Sequence, residues 1–260
     1  MIAADVSYRS LKVWQRNRDV FLQLWQAELA WPLVEPVLIM LGLGLGLGAF
    51  VQLSGDESYI KFLAPGLMAV YPMFSAVAEC AWGSYSRMAT QRTFDAIIAT
   101  PVSIEDVIAG EVLWAATRGL ISAFYITVVA LAMTPTFGIV ESPLVVLVVP
   151  FAFFSGFMFG AMSLAATSLV RSISQLSYFF SIVVMPMYWL GGVFFPLSRL
   201  PEALRVAAWF LPIRHVVRIN RALVSGELDA VLLVDLLWLA VAAALFFRLA
   251  LVSMRRRLIE

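Results

Sequence analysis

Charge is what this 260-residue sequence lacks first. Aspartate, glutamate, lysine and arginine make up 13% of it, about half the ~25% of an ordinary soluble domain. A soluble chain of this length would not have the charge to cover its surface. Histidine occurs once, at His215, and cysteine once, at Cys80. One of each excludes an intrachain disulfide and leaves no paired His/Cys set for a metal. Cys80 lies in an apolar stretch, where a free thiol packs as a small hydrophobe. No Walker motif and no Gly-x-Ser-x-Gly elbow is present. No catalytic residue is therefore assigned, and the chain has no evident means of binding ATP. A net charge of +1, with no basic run interleaved with aromatics, gives no argument for nucleic acid.

Apolar residues fill the gap, at 62% of the chain. About 20 mostly apolar residues cross the ~30 Å hydrocarbon core of a bilayer, and six stretches qualify: 29–51, 59–83, 107–134, 143–169, 175–195 and 229–252. None alternates like a barrel strand, and a backbone in lipid must satisfy its own hydrogen bonds, so all six read as helices. The first begins near Leu29 and exceeds the ~7–15 residue core of a signal peptide, so it reads as a retained span. The expected fold is an all-α polytopic membrane protein.

Lysine and arginine near span ends set the orientation. Arg9, Lys12, Arg16 and Arg18 precede the first span, Arg87 and Arg92 follow the second, Arg171 the fourth, and Arg255, Arg256 and Arg257 the sixth. An even number of spans puts all four groups on one side, the cytoplasm, with both termini. The loop around 52–58 offers Asp56 and Glu57, and that around 135–142 has no base. The segment 196–228, assigned outside, runs against the rule with Arg199, Arg205, Arg214, Arg218 and Arg221. The expected organisation is an interface helix over 1–28, a transmembrane domain over 29–252 with a loop at 84–106 and an external segment at 191–228, and a basic tail over 253–260.

Val6, Val13, Val20 and Leu24 recur at helical spacing beside Trp14, Phe21 and Trp25, with Lys12, Gln15, Arg16, Asp19 and Gln23 opposite. This predicts an amphipathic helix in the headgroup layer or docked on another protein surface. The run Gly42-Leu-Gly-Leu-Gly-Leu-Gly48 lacks the strand, the Lys-Ser/Thr pair and the spaced acid of a nucleotide loop. Gly42/Gly46 and Gly44/Gly48 instead form small-xxx-small pairs that let helices approach closely, within the chain or across a dimer. Three acids fall in the spans: Glu35 between Pro32 and Pro36, Glu79, and Glu111 on one stripe with Arg118. An ionisable group at membrane depth marks function. Capping or pairing at the interface is the plainer reading for Glu35 and Glu111, and Glu79 stands evenly between the two.

Between Gly191 and Gly226, Pro201 starts one short helix, Pro212 interrupts it, and Ile213 to Val224 form another with Arg214, Arg218 and Arg221 on one stripe. Two short amphipathic helices broken by proline fit a re-entrant hairpin between spans five and six, or an external loop on the headgroups. His215, beside Arg214, reads as a polar loop residue.

The loop after the second span carries the most specific pattern. It reads Arg92-Thr93-Phe94-Asp95-Ala96-Ile97-Ile98-Ala99-Thr100-Pro101-Val102-Ser103, then Glu105-Asp106-Val107-Ile108-Ala109-Gly110-Glu111. A basic residue, Thr, an acid, two aliphatics, Thr-Pro and Ser in that order resemble the cytoplasmic loop of ABC-2 type export permeases. Gly110 to Arg118, the glycine run, Tyr59 to Gly66, Phe194-Phe195-Pro196, Leu200-Pro201 and Phe210-Leu211-Pro212 are most similar to the nodulation protein J branch, the permeases of lipo-oligosaccharide exporters. The likeness covers essentially the whole chain, with motifs specific together and weak singly. Arg92 departs from it, standing where the family usually has a small residue.

The resemblance implies a permease of the bacterial inner membrane. Two copies would work with two copies of a separate ABC ATPase, which would hold the ATP and Mg. The loop would form a coupling helix seated in a groove of that ATPase. Its expected coupling residues are Arg87, Gln91, Arg92, Phe94, Asp95, Ile97, Ile98 and Pro101. Of these Phe94, Ile97 and Ile98 would supply apolar contact, and Arg92 and Asp95 orientation. Thr100-Pro101 ends the helix, because a residue before proline avoids helical geometry. The implied substrate is an amphiphile, a lipo-oligosaccharide or glycolipid, with Glu35, Glu79, Tyr188 and Trp189 as candidate path residues beside spans one and five. Both aromatics also suit the interfacial belt. The alternatives are a drug or antibiotic exporter of the same family and an ion-coupled carrier working alone. The carrier would need inverted repeats, and none is visible.

Overall fold

The computed structural model describes residues 6–46, 48, 50 and 58–259, and every long apolar stretch within them is helical. Helix α1 (Ser10–Leu41) continues into a π-helical turn at Gly42–Gly46. Helix α2 (Tyr59–Ala78) is prolonged by π-turns at Glu79–Gly83 and Ser86–Thr90, and the short α3 spans Thr93–Ile98. Then come α4 (Ile104–Phe137), α5 (Val148–Leu169), α6 (Ile173–Phe179), α7 (Met185–Leu190), α8 (Glu202–Trp209), α9 (Pro212–Ser225) and α10 (Val231–Ile259). Among the described residues there is no strand.

Among the described residues, five helices are long and apolar enough to cross a membrane: Tyr59–Thr90, Ile104–Phe137, Pro143–Leu169, Ile173–Leu190 and Val231–Ile259. They match the second to sixth expected spans. Over the first, 29–51, the described residues show only a shorter apolar helix, Val34–Gly46, and positions 47, 49 and 51 lie outside them. The loop residues Asp56 and Glu57 and the side chain of Pro32 lie outside the described residues.

Two expected boundaries dissolve. The interface helix is not separate from the first span, because α1 runs unbroken from Ser10 to Leu41. Its buried face is also not the valine stripe. Ser10, Val13 and Asn17 are buried, whereas Val6, Val20, Leu24 and Trp25 are exposed. A Cβ on Gly110 would meet Val13 Cβ at 2.5 Å and the Ser10 carbonyl at 2.7 Å, so α1 lies directly on the start of α4. The basic tail likewise continues α10. There Arg255 reaches Glu105 at 2.9 Å, and Arg257 donates to the Thr167 carbonyl.

Small residues let the centre of the bundle close up, as expected where lipid gives no hydrophobic drive between helices. A Cβ on Gly156 of α5 would lie 3.2 Å from Ala116 Cα, and one on Gly160 would lie 2.8 Å from Ala115 Cβ, both in α4. Ser163 and Thr167 of α5 donate to the Val77 and Cys80 carbonyls at 2.9 and 3.0 Å. α4 starts with a reciprocal capping box, in which Ser103 Oγ accepts from Asp106 N–H and Asp106 accepts from Ser103 N–H. Asp106 also receives the Ser7 amide at 2.6 Å, tying the start of the chain to the exit of the loop after α2.

Of the glycine run, Gly44 and Gly48 face the start of α2. Added Cβ atoms there would meet Ile60 at 2.8 Å and Tyr59 at 3.3 Å. Gly42 and Gly46 have nothing within 4 Å of an added Cβ among the described residues. One pair therefore packs within the chain and the other faces open space.

Candidate functional site

An ion network joins α1, the end of α2 and α4. Glu111, 1% exposed, accepts from Arg87 at 2.5 Å, Ser84 Oγ at 2.5 Å and Asn17 Nδ2 at 2.8 Å. Arg87 also pairs with Glu79 at 2.8 Å. Arg118 pairs with Glu28 at 2.8 Å and approaches Glu79 at 3.6 Å. The network is a chain of alternating charge. Such a cluster survives burial because each charge meets an opposite charge and its remaining donors find acceptors. The π-turns place Glu79, Ser84 and Arg87 on one side of the helix, and such insertions often occur at functional sites. Gly83 leaves the room, since a Cβ there would sit 2.8 Å from Glu79 Oε1. At its edge, burial and the nearby Arg87 charge lower the pKa of the Arg16 guanidinium, with Glu111 opposing them.

Glu111 and Arg118 share a stripe of α4 but do not pair. Arg87 takes Glu111, and Arg118 serves Glu28 and Glu79. Asn17 was not legible as a partner, although it sits four residues after Val13 on a face that reads as apolar. A polar side chain on an apolar stripe was the signal.

Above the network a cleft holds about 890 Å³ of empty space, part of it open solvent, between Glu28, Glu35, Tyr71, Phe74, Glu79 and Arg118. Glu35 and Glu79, two of the four candidate path residues, are thus brought together. Tyr188 stands behind Phe74 with ring centroids 5.1 Å apart. Trp189 stacks on Phe194 at 5.0 Å and is otherwise half exposed, outside the lining. Tyr71 and Phe74 are cleft residues that no motif in the sequence marked.

α3 sits at the edge of the chain. Arg92 precedes it with φ 52°, a left-handed backbone that costs a non-glycine residue about 1–2 kcal/mol. Only glycine, which has no Cβ, would escape that strain. Gln91, Arg92 and Asp95 are exposed, as is Pro101, whose carbonyl accepts from Arg9. Phe94 is 1% exposed and packs in the chain's own core, with Ile97 and Ile98 partly buried against it. The expectation that Phe94 presents apolar contact to a partner is corrected, while Ile97 and Ile98 stay half-buried beside it. Positions 94, 97 and 98 share one face of a helix, and that face is the one holding α3 to the body. Arg87 likewise belongs to the interior network, not to the outward surface of the loop.

His215 is no loop residue. It lies in α9, 2% exposed, with Nδ1 2.6 Å from Asp235 Oδ1, Nε2 2.9 Å from the Trp209 carbonyl, and its ring stacked 4.5 Å from Trp238. A carbonyl only accepts, so Nε2 donates to Trp209 while Nδ1 faces the Asp235 carboxylate. Two of the five arginines that ran against the orientation rule are engaged here. Arg218 pairs with Asp229 at 2.8 Å, and Arg221 donates to the Gly192 carbonyl at 2.6 Å while lying 4.0 Å over Phe62. His215→Ala should cost about 3 kcal/mol, near the low end for breaking a buried pair, because Arg218 remains 3.5 Å from Asp235. Thermal melting of the purified variant in detergent measures this, and an unchanged midpoint would mean that the pair carries no stability.

Comparison with known proteins decides the family. The ABC-2 type transporter model matches residues 10–224. The chain belongs to the ABC-2 type transporter family. This ABC-2 permease is 32% identical over 252 residues to Nodulation protein J of Rhizobium leguminosarum bv. trifolii, covering 96% of the chain and 94% of the relative. It is 31% identical over 256 residues to Nodulation protein J of Bradyrhizobium diazoefficiens, covering 98% and 95%. It is also 25% identical over 209 residues to the inner membrane transport permease YadH of Escherichia coli K12, covering 79% and 78%. A multi-pass transport component, not an enzyme by itself, is thereby established.

Proposed function

We propose that this ABC-2 permease exports an amphiphile, a lipo-oligosaccharide or related glycolipid, across the bacterial inner membrane. The energy comes from ATP and Mg held by a separate ABC ATPase, with two copies of each subunit. The observation that carries this reading is the match to Nodulation protein J over nearly the full length of both chains. It is joined to an exposed α3 at the position of the coupling loop. Asp95, Gln91 and Arg92 are the outward groups, and closure of the ATPase pair would press on them. α3 is anchored by Phe94, and the loop end is tied to the start of the chain through Arg9 and Ser7. A push on α3 is thereby passed to α1 and α4.

In this reading the chain crosses six times, with Val34–Gly46 within the first crossing. α8 and α9 dip in from the outside, and both termini face the cytoplasm. The packing of α9 against α2 and α10 supports a re-entrant hairpin over a loose external loop. Cysteine labelling tests this topology. In a Cys80→Ala background, Ser198→Cys or Ser225→Cys should react with a membrane-impermeant maleimide in intact spheroplasts, and Ser103→Cys should not. Labelling at position 103 with protection at 225 would invert the protein. Co-expression with its ATPase should also give a complex that survives purification. A permease that purifies without ATPase in the presence of excess ATPase would sink the partnership.

A further inference from the structure

The cleft above the ion network is unevenly charged. Glu28, Glu35 and Glu79 line it against the single guanidinium of Arg118. Arg118 is already engaged by Glu28 and Glu79, and Arg87 below by Glu79 and Glu111. Glu35 has no cation at ion-pair distance among the described residues. Tyr71 is 6% exposed yet lines the cleft, and its hydroxyl has no hydrogen-bond partner among the described residues. That hydroxyl borders the open cleft, where it can donate to or accept from a ligand. Both empty positions suit a ligand bearing hydroxyl groups, with Tyr71 and Glu35 accepting. Phe74, backed by Tyr188, supplies a flat apolar wall, the mix of apolar lining and few convergent polar groups found in small-molecule sites.

We infer that this cleft binds an uncharged, hydroxyl-rich sugar head and rejects an anionic one, with Glu35 as the residue that sets the discrimination. The inference rests on the export reading above and narrows its substrate. A phosphate or sulfate brought here meets a carboxylate with no cation to spare, and like charges set side by side repel. A sugar loses no such energy, because its hydroxyls donate to that carboxylate. A trimethylammonium head would satisfy charge but offers no donor to Glu35 or Tyr71. It separates attraction by charge from recognition by hydrogen bonds.

The test needs neither ATPase nor transport, so its failure is distinct from failure of the export reading. Ala78→Cys places a thiol at an exposed position in the cleft wall, in full-length Cys80→Ala permease held in lipid nanodiscs. The rate of maleimide labelling is measured with octyl glucoside, octyl phosphate or octyltrimethylammonium, each below its micellar concentration. Octyl glucoside should slow labelling about fivefold, octyltrimethylammonium less than the glucoside, and octyl phosphate not at all. Glu35→Gln should then let octyl phosphate protect as well as the glucoside does. Tyr71→Phe should weaken glucoside protection without admitting phosphate, which separates recognition from general disturbance of the cleft. Protection by octyl phosphate with Glu35 intact would overturn the inference. Strongest protection by octyltrimethylammonium would do the same, as would absence of protection by any probe.

Discussion

Glu111→Ala should lower the stability of the permease by about 3–5 kcal/mol, the cost of removing one partner from a buried charge pair. Glu111 of α4 is the acceptor shared by two other helical segments. Arg87 and Ser84 from the end of α2 and Asn17 from α1 all donate to it across to α4. Its loss leaves Arg87 with Glu79 alone and strands the Asn17 amide in a dry position. The side chain is 1% exposed, so water cannot repair the loss. Thermal unfolding in detergent, followed by the survival of the monodisperse peak, should show a large drop in midpoint. Arg87→Met with Glu111→Leu should recover part of it, because an apolar pair removes both charges together. Glu79→Ala should cost less than Glu111→Ala, since the Glu79 side chain borders the open cleft. Glu111→Ala melting with the unaltered protein would show that the network does not hold α1 to the bundle.

Asp95→Lys should abolish coupled transport while the protein still inserts, folds and melts normally. Asp95 lies in the first turn of α3 and is exposed. It contributes nothing to the chain's own packing and is free to meet a partner. Reversing its charge would set like charges together at that interface, and breaking one buried interfacial pair costs roughly 2–5 kcal/mol of binding. Phe94→Ala should behave differently. It empties the anchor beneath α3, so it should lower stability as well as coupling, by about 3–5 kcal/mol for a large buried aromatic. The contrast between these two variants is the evidence sought. Transport at the normal rate by Asp95→Lys, at normal expression, would remove α3 from the coupling interface.

The spans of α2, α4, α5, α6–α7 and α10 were legible because a membrane helix is written as one long apolar run, and such runs need no knowledge of neighbours. The division between interface helix and first span was not legible. Composition changes near Leu29, but the backbone continues unbroken through Leu41. Glu35, Glu79 and Glu111 were visible as costly acids, whereas their partners depended on which helix faces which. Glu111 and Arg118 share a stripe in sequence, yet Arg87 from another helix lies closer in space. His215 and Asp235 are twenty residues apart on separate helices, beyond any local pattern. Phe94, Ile97 and Ile98 formed a visible apolar face, and a six-residue helix can turn such a face toward a partner or toward its own core. Only the packing of α3 decides between them.

ATP-driven movement of a fluorescent glycolipid in proteoliposomes tests the central claim most directly. The purified permease alone should hydrolyse no ATP and move no lipid under any ion gradient. The permease with its ATPase should do both, and substitution of Asp95 by Lys should uncouple them. ATP turnover by the highly purified permease alone, or lipid movement driven by a proton or sodium gradient without the ATPase, would contradict the account.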